Sequence, residues 1–176
     1  MGNKQMLSQQ EITELCKETG FNTTELKRIY SRFRKLDYFN RGYVTIHDLA
    51  TIPDFDKNPL GDRITRVLSK EGSGIEKNTV DFREFVKALA VFNGTSSTLR
   101  HSSAEDEKIR FLFRVYDTDS DGYLSREDLL LVMKKLVANS LTDAQLQSIV
   151  DKTIKDLDGD RDGLLTFEEF KRLFDE

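Results

Sequence analysis

Two twelve-residue stretches, DTDSDGYLSRED (117–128) and DGDRDGLLTFEE (158–169), place carboxylates on alternate steps around one glycine. No other feature limits the possible folds so tightly. Close carboxylates repel by about 1 kcal/mol per pair even in bulk water. A turn built this way makes sense around something positive. That it occurs twice, each time between apolar segments of helical rhythm, argues against an accidental acidic surface turn.

Counted from one, Asp117, Asp119 and Asp121 take positions 1, 3 and 5, Gly122 takes 6, Tyr123 takes 7, Ser125 takes 9 and Asp128 takes 12. The second stretch sets Asp158, Asp160, Asp162, Gly163, Leu164, Thr166 and Glu169 at the same positions. This is the spacing of an EF-hand calcium loop, which wraps hard oxygen ligands round one ion. The glycine permits the sharp bend. Tyr123 and Leu164 offer main-chain oxygens, and Ser125 acts through a water. Ser125 with Asp128, and Thr166 with Glu169, have capping-box spacing, so each loop starts its own exiting helix.

Apolar residues recur at three-and-four spacing on both sides of these loops. Ile109, Leu112, Phe113 and Tyr116 precede the first, and Leu129, Val132, Met133 and Leu136 follow it. Leu146, Ile149, Val150 and Ile154 precede the second, and Phe167, Phe170 and Phe174 follow it. Leu124 and Leu165 share position 8 and are expected to meet across a short two-stranded ribbon. Position 12 differs between the loops. Asp128 is one methylene shorter than a Glu and grips a large ion less well, so the 117–128 loop should bind Ca²⁺ more weakly than the 158–169 loop. Mg²⁺ is its alternative resting occupant.

Repeats of this kind come in pairs, and the first half carries two weaker versions. DYFNRGYVTIHD (37–48) keeps Asp37, Gly42, Val44 and Asp48, but Phe39 and Arg41 fill positions 3 and 5. An arginine facing the metal seat repels a cation, so this loop is expected to be an EF-hand in shape only. SGIEKNTVDFRE (73–84) keeps Val80 and Glu84, with Ser73, Ile75 and Lys77 where acids should stand. Leu26, Tyr30, Phe33 and Leu36 before the first loop, and Phe82, Phe85, Val86 and Leu89 after the second, have helical spacing. The expected fold is all-α: two lobes of paired EF-hands with short β-ribbons between paired loops. The boundaries are an N-terminal segment (1–24), a lobe with degenerate loops (25–92), a Ser- and Thr-rich linker (93–104) and a metal-binding lobe (105–176).

Charge divides along the same line. Residues 104–176 hold 18 acids and 11 bases, a net −7, whereas residues 1–103 hold 13 acids and 16 bases, a net +3. The acidic half argues against a nucleic-acid partner. No apolar run approaches the roughly 20 residues of a spanning helix. With one cysteine, Cys16, no intrachain disulfide forms, which fits a cytoplasmic setting. The remaining reactive side chains, His47 and His101, lie in a degenerate loop and in the linker. No phosphate-cradling loop or nucleophile motif accompanies them, so the reading is not an enzyme.

The segments KETGF (17–21), YSRF (30–33) and NPLGDRI (58–64), with degenerate first and second hands, are similar to those of the calcineurin B homologous proteins. FRVYDTDSDGYLS (113–125) and LQSIVDKTI (146–154) resemble calcineurin B equally well. Across nearly its full length the chain thus resembles the calcineurin B group of four-EF-hand proteins. The start MGNKQ and the Asp at position 12 of the third hand resemble the calcium- and integrin-binding proteins as well. The resemblance implies a Ca²⁺-sensing regulatory subunit that clasps an amphipathic helix. In the homologous proteins that helix belongs to a Na⁺/H⁺ exchanger, the reading favoured here; in calcineurin B it belongs to a phosphatase catalytic subunit. Two departures stand out. Calcineurin B fills all four hands, and family members continue past the last helix with a tail that folds over the groove, where this chain stops at Glu176.

A sensor opens an apolar groove when its loops fill. Phe113, Leu130, Met133, Leu136, Val137, Ile149, Phe170 and Phe174 are the candidate groove residues. Only three methionines occur, which favours one dedicated partner over the promiscuous binding of Met-rich surfaces. A passive Ca²⁺ buffer is the further alternative. Gly2 is a candidate N-myristoylation site, although Met6 stands where the rule asks for Ser or Thr. One acyl chain binds membranes only marginally, and the positive half is a candidate second signal.

Overall fold

Among the described residues, four successive pairs of helices follow one another along the chain. The computed structural model describes residues 7–52, 55, 57–73, 79–93, 104–137 and 140–174. Gly2, most of the 93–104 linker, and Ile75 and Lys77 lie outside the described residues. Helix α1 (Gln9–Thr19) precedes the first unit, α2 (Thr23–Leu36) and α3 (Ile46–Leu49). The second unit is α4 (Gly61–Ser73) and α5 (Phe82–Asn93), the third is α6 (Ala104–Tyr116) and α7 (Arg126–Val137), and the fourth is α8 (Asp143–Leu157) and α9 (Phe167–Lys171).

Helix starts are set locally. Capping boxes begin α1 at Ser8 and Glu11, α2 at Asn22 and Glu25, α3 at Thr45 and Asp48, and α8 at Thr142 and Gln145. In each, a side-chain oxygen accepts an N–H that the helix itself leaves unpaired. The paired loops meet as expected. Strand β1 (Tyr43–Thr45) runs antiparallel to β2 (Thr79–Asp81), with Val44 opposite Val80. In the second pair, Leu124 and Leu165 exchange both main-chain hydrogen bonds at 2.9 Å. All four position-8 side chains are fully buried.

The two lobes share more than expected. Ile12 and Leu15 of α1, Leu26 and Phe33 of α2, and Phe82 and Val86 of α5 form one apolar cluster, and Phe111, Val115 and Val132 from the second half belong to it. A separate cluster joins Ile109, Phe113, Leu124, Leu129, Val150, Leu165 and Phe170. Helix α6 is therefore not one-sided. Its Ile109 and Phe113 face its own lobe, while Phe111 and Val115, two positions on, face the other. The Phe92 ring on α5 meets Phe111 edge-on at 5.0 Å, and Lys135 on α7 reaches Asp62 on α4 at 2.9 Å.

Candidate metal centre

The 117–128 and 158–169 loops present hard oxygen donors with no Cys or His among them. One carboxylate oxygen each from Asp117, Asp119 and Asp121 lies within 4.8 Å of the others, as do those of Asp158, Asp160 and Asp162. That donor set suits Ca²⁺ or Mg²⁺ and not a softer metal.

The backbone holds the acids in place. The position-6 N–H donates to the position-1 carboxylate in three loops: Gly42 to Asp37 at 2.7 Å, Gly122 to Asp117 at 3.1 Å and Gly163 to Asp158 at 2.8 Å. Those glycines have φ of +87°, +92° and +87°. Position 4 is left-handed too, at Asn40, Ser120 and Arg161, with φ of +55°, +64° and +63°. No glycine marks that position; Asn40 is a residue that tolerates left-handed backbone, whereas Ser120 and Arg161 give no such signal. At position 7, the N–H of Tyr123 donates to Asp121, and that of Leu164 to Asp162, each at 2.8 Å.

The position-12 acids each close their loop from the exiting helix. Asp128 accepts from the Thr118 N–H at 2.9 Å and the Ser125 N–H at 3.0 Å, and from both hydroxyls. Glu169 accepts from the Gly159 N–H at 2.8 Å, the Thr166 N–H at 2.9 Å and the Thr166 hydroxyl. The shorter aspartate thus spans the same positions, 2 and 9, as the glutamate.

Electrostatics differ around each seat. Burial, reinforced by the Asp121 and Asp128 charges, holds the Asp117 carboxyl above the ordinary range despite the Gly122 and Ser120 N–H groups. Burial also raises Asp128, but hydrogen bonds from Ser125 and Thr118 outweigh it and leave the group below the ordinary range. The Thr166 N–H, with Gly159 and the Thr166 hydroxyl, lowers Glu169. Lost solvation and the Asp162 charge raise Asp160.

The 37–48 loop keeps the same backbone and closes on a side chain. The Arg41 guanidinium pairs with Asp48, and its Nε lies 3.9 Å from Asp37, so it bridges positions 1 and 12. Asp37 is fully buried and also accepts the Arg41 N–H at 2.8 Å. Of the 73–84 loop, Glu84 is buried and accepts the Asp81 N–H at 2.7 Å.

A cleft of about 230 Å³ opens beside the C-terminal pair. Of the candidate groove residues, Met133, Ile149, Phe170 and Phe174 line it, joined by Leu112, Tyr116 and Leu173. Phe113 is buried instead and packs edge-on against Phe167 and Phe170. Leu130 is half-buried against the same cluster, and Leu136 and Val137 lie outside the cleft. Among the described residues no helix is long and apolar enough to cross a membrane.

Comparison with known proteins agrees with the geometry. Residues 106–174 match the model of an EF-hand domain pair. The chain is 41% identical over 170 residues to calcineurin B from Naegleria gruberi, covering 97% of this chain and 90% of that one. It is 42% identical over 165 residues to calcineurin B from Schizosaccharomyces pombe, at 93% and 88% coverage. Calcineurin B type 1 from Dictyostelium discoideum is 37% identical over 171 residues, at 97% and 89% coverage.

Proposed function

The chain belongs to the calcineurin B family of EF-hand proteins, and from that premise we propose that it is the Ca²⁺-sensing regulatory subunit of a Ser/Thr phosphatase. The relatives carry the name of a calcineurin subunit along almost their whole length, which favours this reading over the Na⁺/H⁺ exchanger partner. The single observation behind the sensing role is the pair of aspartate triads, each with its oxygens within 4.8 Å and each faced by a buried acid on the next helix.

Asp117, Asp119, Asp121 and Asp128, with the Tyr123 carbonyl, would hold one ion. Asp158, Asp160, Asp162 and Glu169, with the Leu164 carbonyl, would hold the other. Bound Ca²⁺ supplies the positive charge that relieves carboxylate repulsion. Asp128 and Glu169 sit in the first turns of α7 and α9, so a shift of either carboxylate moves a helix that walls the cleft. The cleft's apolar lining fits the apolar face of a partner helix. The long half-exposed side chains of Ile149 and Phe174 are its reachable anchors.

Affinity capture with and without chelator, followed by identification of the retained chain, tests the assignment. A phosphatase catalytic chain is expected. Recovery of an ion exchanger refutes the phosphatase reading. Unchanged capture after Asp117→Ala and Asp158→Ala refutes the sensing role.

Peripheral membrane attachment is the finer part of the reading. On α2, Arg28, Arg32 and Lys35 form an exposed stripe with no acidic partner among the described residues, and it leads to Tyr38 and Phe39, which are 79% and 71% exposed. Cations beside exposed aromatics suit an anionic lipid surface. Co-sedimentation with phosphatidylserine vesicles should fall when the three cations are replaced by Gln.

A further inference from the structure

The NPLGDRI segment starts α4, and its arginine takes no part in the metal chemistry described above. Arg63 is only 6% exposed. It leaves its own lobe and meets the C-terminal end of α6, where its guanidinium donates to four main-chain carbonyls. Nε reaches Val115 O at 3.3 Å, Nη1 reaches Thr118 O at 3.1 Å, and Nη2 reaches Arg114 O at 3.2 Å and also Asp117 O. The last carbonyls of a helix have no N–H of their own turn to accept, and they form the negative end of the helix dipole. A planar fork of N–H donors satisfies several of them at once.

Two of the four carbonyls belong to the metal loop: Asp117 is its position 1 and Thr118 its position 2. A side chain from the first half therefore grips the main chain where the 117–128 loop begins. The 158–169 loop has no such clamp. Among the described residues, no side chain of the first half donates to it.

We propose that Arg63 is a positioning residue for the 117–128 loop. From the N-terminal lobe it sets the main chain on which Asp117 and Asp119 present their carboxylates. The cation affinity of this loop, alone of the two, then depends on contact between the lobes. The proposal rests on the reading that this loop holds Ca²⁺.

Two opposing effects of Arg63 need separating. Its charge repels a cation in the seat, whereas its hydrogen bonds pre-order the loop and favour binding. Arg63→Lys keeps the charge and loses the fork, so it isolates positioning. Arg66, exposed, lines a second pocket together with Arg63, Asp117 and Asp121, so Arg66→Gln removes a charge near the seat, leaves the fork intact and isolates the field.

The test is a Ca²⁺ titration by calorimetry on the full chain. In a chain carrying Asp158→Ala, where only the 117–128 loop binds, Arg63→Lys should weaken binding about ten-fold, or about 1.4 kcal/mol. Arg66→Gln should not weaken it. In a chain carrying Asp117→Ala, Arg63→Lys should change the affinity of the 158–169 loop by less than about two-fold, as distant sites do. Equal weakening of both loops, or no weakening of the first, overturns the proposal. A second measurement leaves Arg63 untouched. Coupling is reciprocal, so filling the 117–128 loop in the Asp158→Ala chain should slow amide hydrogen exchange across residues 61–68. Unchanged exchange there with Ca²⁺ bound also overturns it. If the Asp158→Ala chain with Arg63 intact binds no Ca²⁺, the metal reading of the loop fails and the proposal goes with it.

Discussion

Arg41→Ala tests whether the first hand carries its own cation. The guanidinium bridges Asp37, which is fully buried, and Asp48, whose side chain is 14% exposed, while the arginine side chain itself is 29% exposed. Removing it leaves two carboxylates facing each other in a largely covered seat. Neither is orphaned, since Asp37 keeps the Arg41 and Gly42 N–H groups and Asp48 keeps the Thr45 N–H and hydroxyl. The cost therefore lies between that of an exposed ion pair and that of a broken buried one, about 1–2 kcal/mol. For a chain of this length that is about 2–8 °C in Tm. The assay is thermal unfolding followed by circular dichroism in chelator at low salt. Asp117→Ala and Asp158→Ala are also present, so that the C-terminal loops do not respond to metal. Millimolar Ca²⁺ should then restore part of the loss in the Arg41→Ala chain and leave the Arg41 chain unchanged, because only the former offers an uncompensated pair of carboxylates. A Tm within about 1 °C of the parent in chelator would show that Arg41 does not stand in for an ion, for even the lower cost predicts a larger shift.

Asp128→Glu should tighten Ca²⁺ binding by the 117–128 loop about ten-fold, or about 1.4 kcal/mol, while Mg²⁺ gains little; calorimetry in an Asp158→Ala chain reads both, and equal Ca²⁺ affinities for the unmodified 117–128 and 158–169 loops would contradict the premise. Leu165→Ala opens a cavity at a fully buried ribbon position; it should cost about 2–5 kcal/mol and reduce cooperativity between the two loops, as Ca²⁺ titration would report. Metal-free protein should lose stability in acid. The Ser8 N–H, the Arg83 fork and the Thr166 N–H hold Glu11, Glu18 and Glu169 below their ordinary range, so their contribution is complete above that range and disappears as pH falls through the depressed values. Asp117 acts in the opposite sense, since its raised folded value favours the folded state on acidification; a chelated Tm flat from about pH 5 to about pH 3 would be the contrary result. A sensor should expose apolar surface when its loops fill, so binding of an apolar fluorescent dye should rise with Ca²⁺; a flat response identifies a buffer.

Much of the candidate metal centre is legible in the sequence because its geometry is local. Twelve consecutive residues supply the candidate ligands, the left-handed glycine and the capping box, and no distant contact is needed to bring them together. The ribbon partners follow from the same count, since position 8 is fixed relative to the glycine. The spacing makes α6 look one-sided because Ile109, Leu112, Phe113 and Tyr116 already satisfy a helical period. Phe111 and Val115 carry the further signal: a helix apolar all round is buried on more than one side. The groove is only partly legible. Helical spacing says which residues share a face, but not whether that face meets core, as at Phe113, or cleft, as at Ile149.

The linear order of residues was enough to determine that this chain makes paired helix–loop–helix units and where a hard cation would sit, since every group involved lies within one turn of its neighbours. Only the tertiary structure decided what Arg41 and Arg63 do. The first looks merely hostile to a metal until closure of its loop sets Asp37 and Asp48 on either side of it. The second meets carbonyls 51 to 55 positions away. A guanidinium carries the same charge wherever it stands in the chain; which acceptors surround it depends on how the lobes dock, and local spacing can mark an apolar face but not which distant segment covers it.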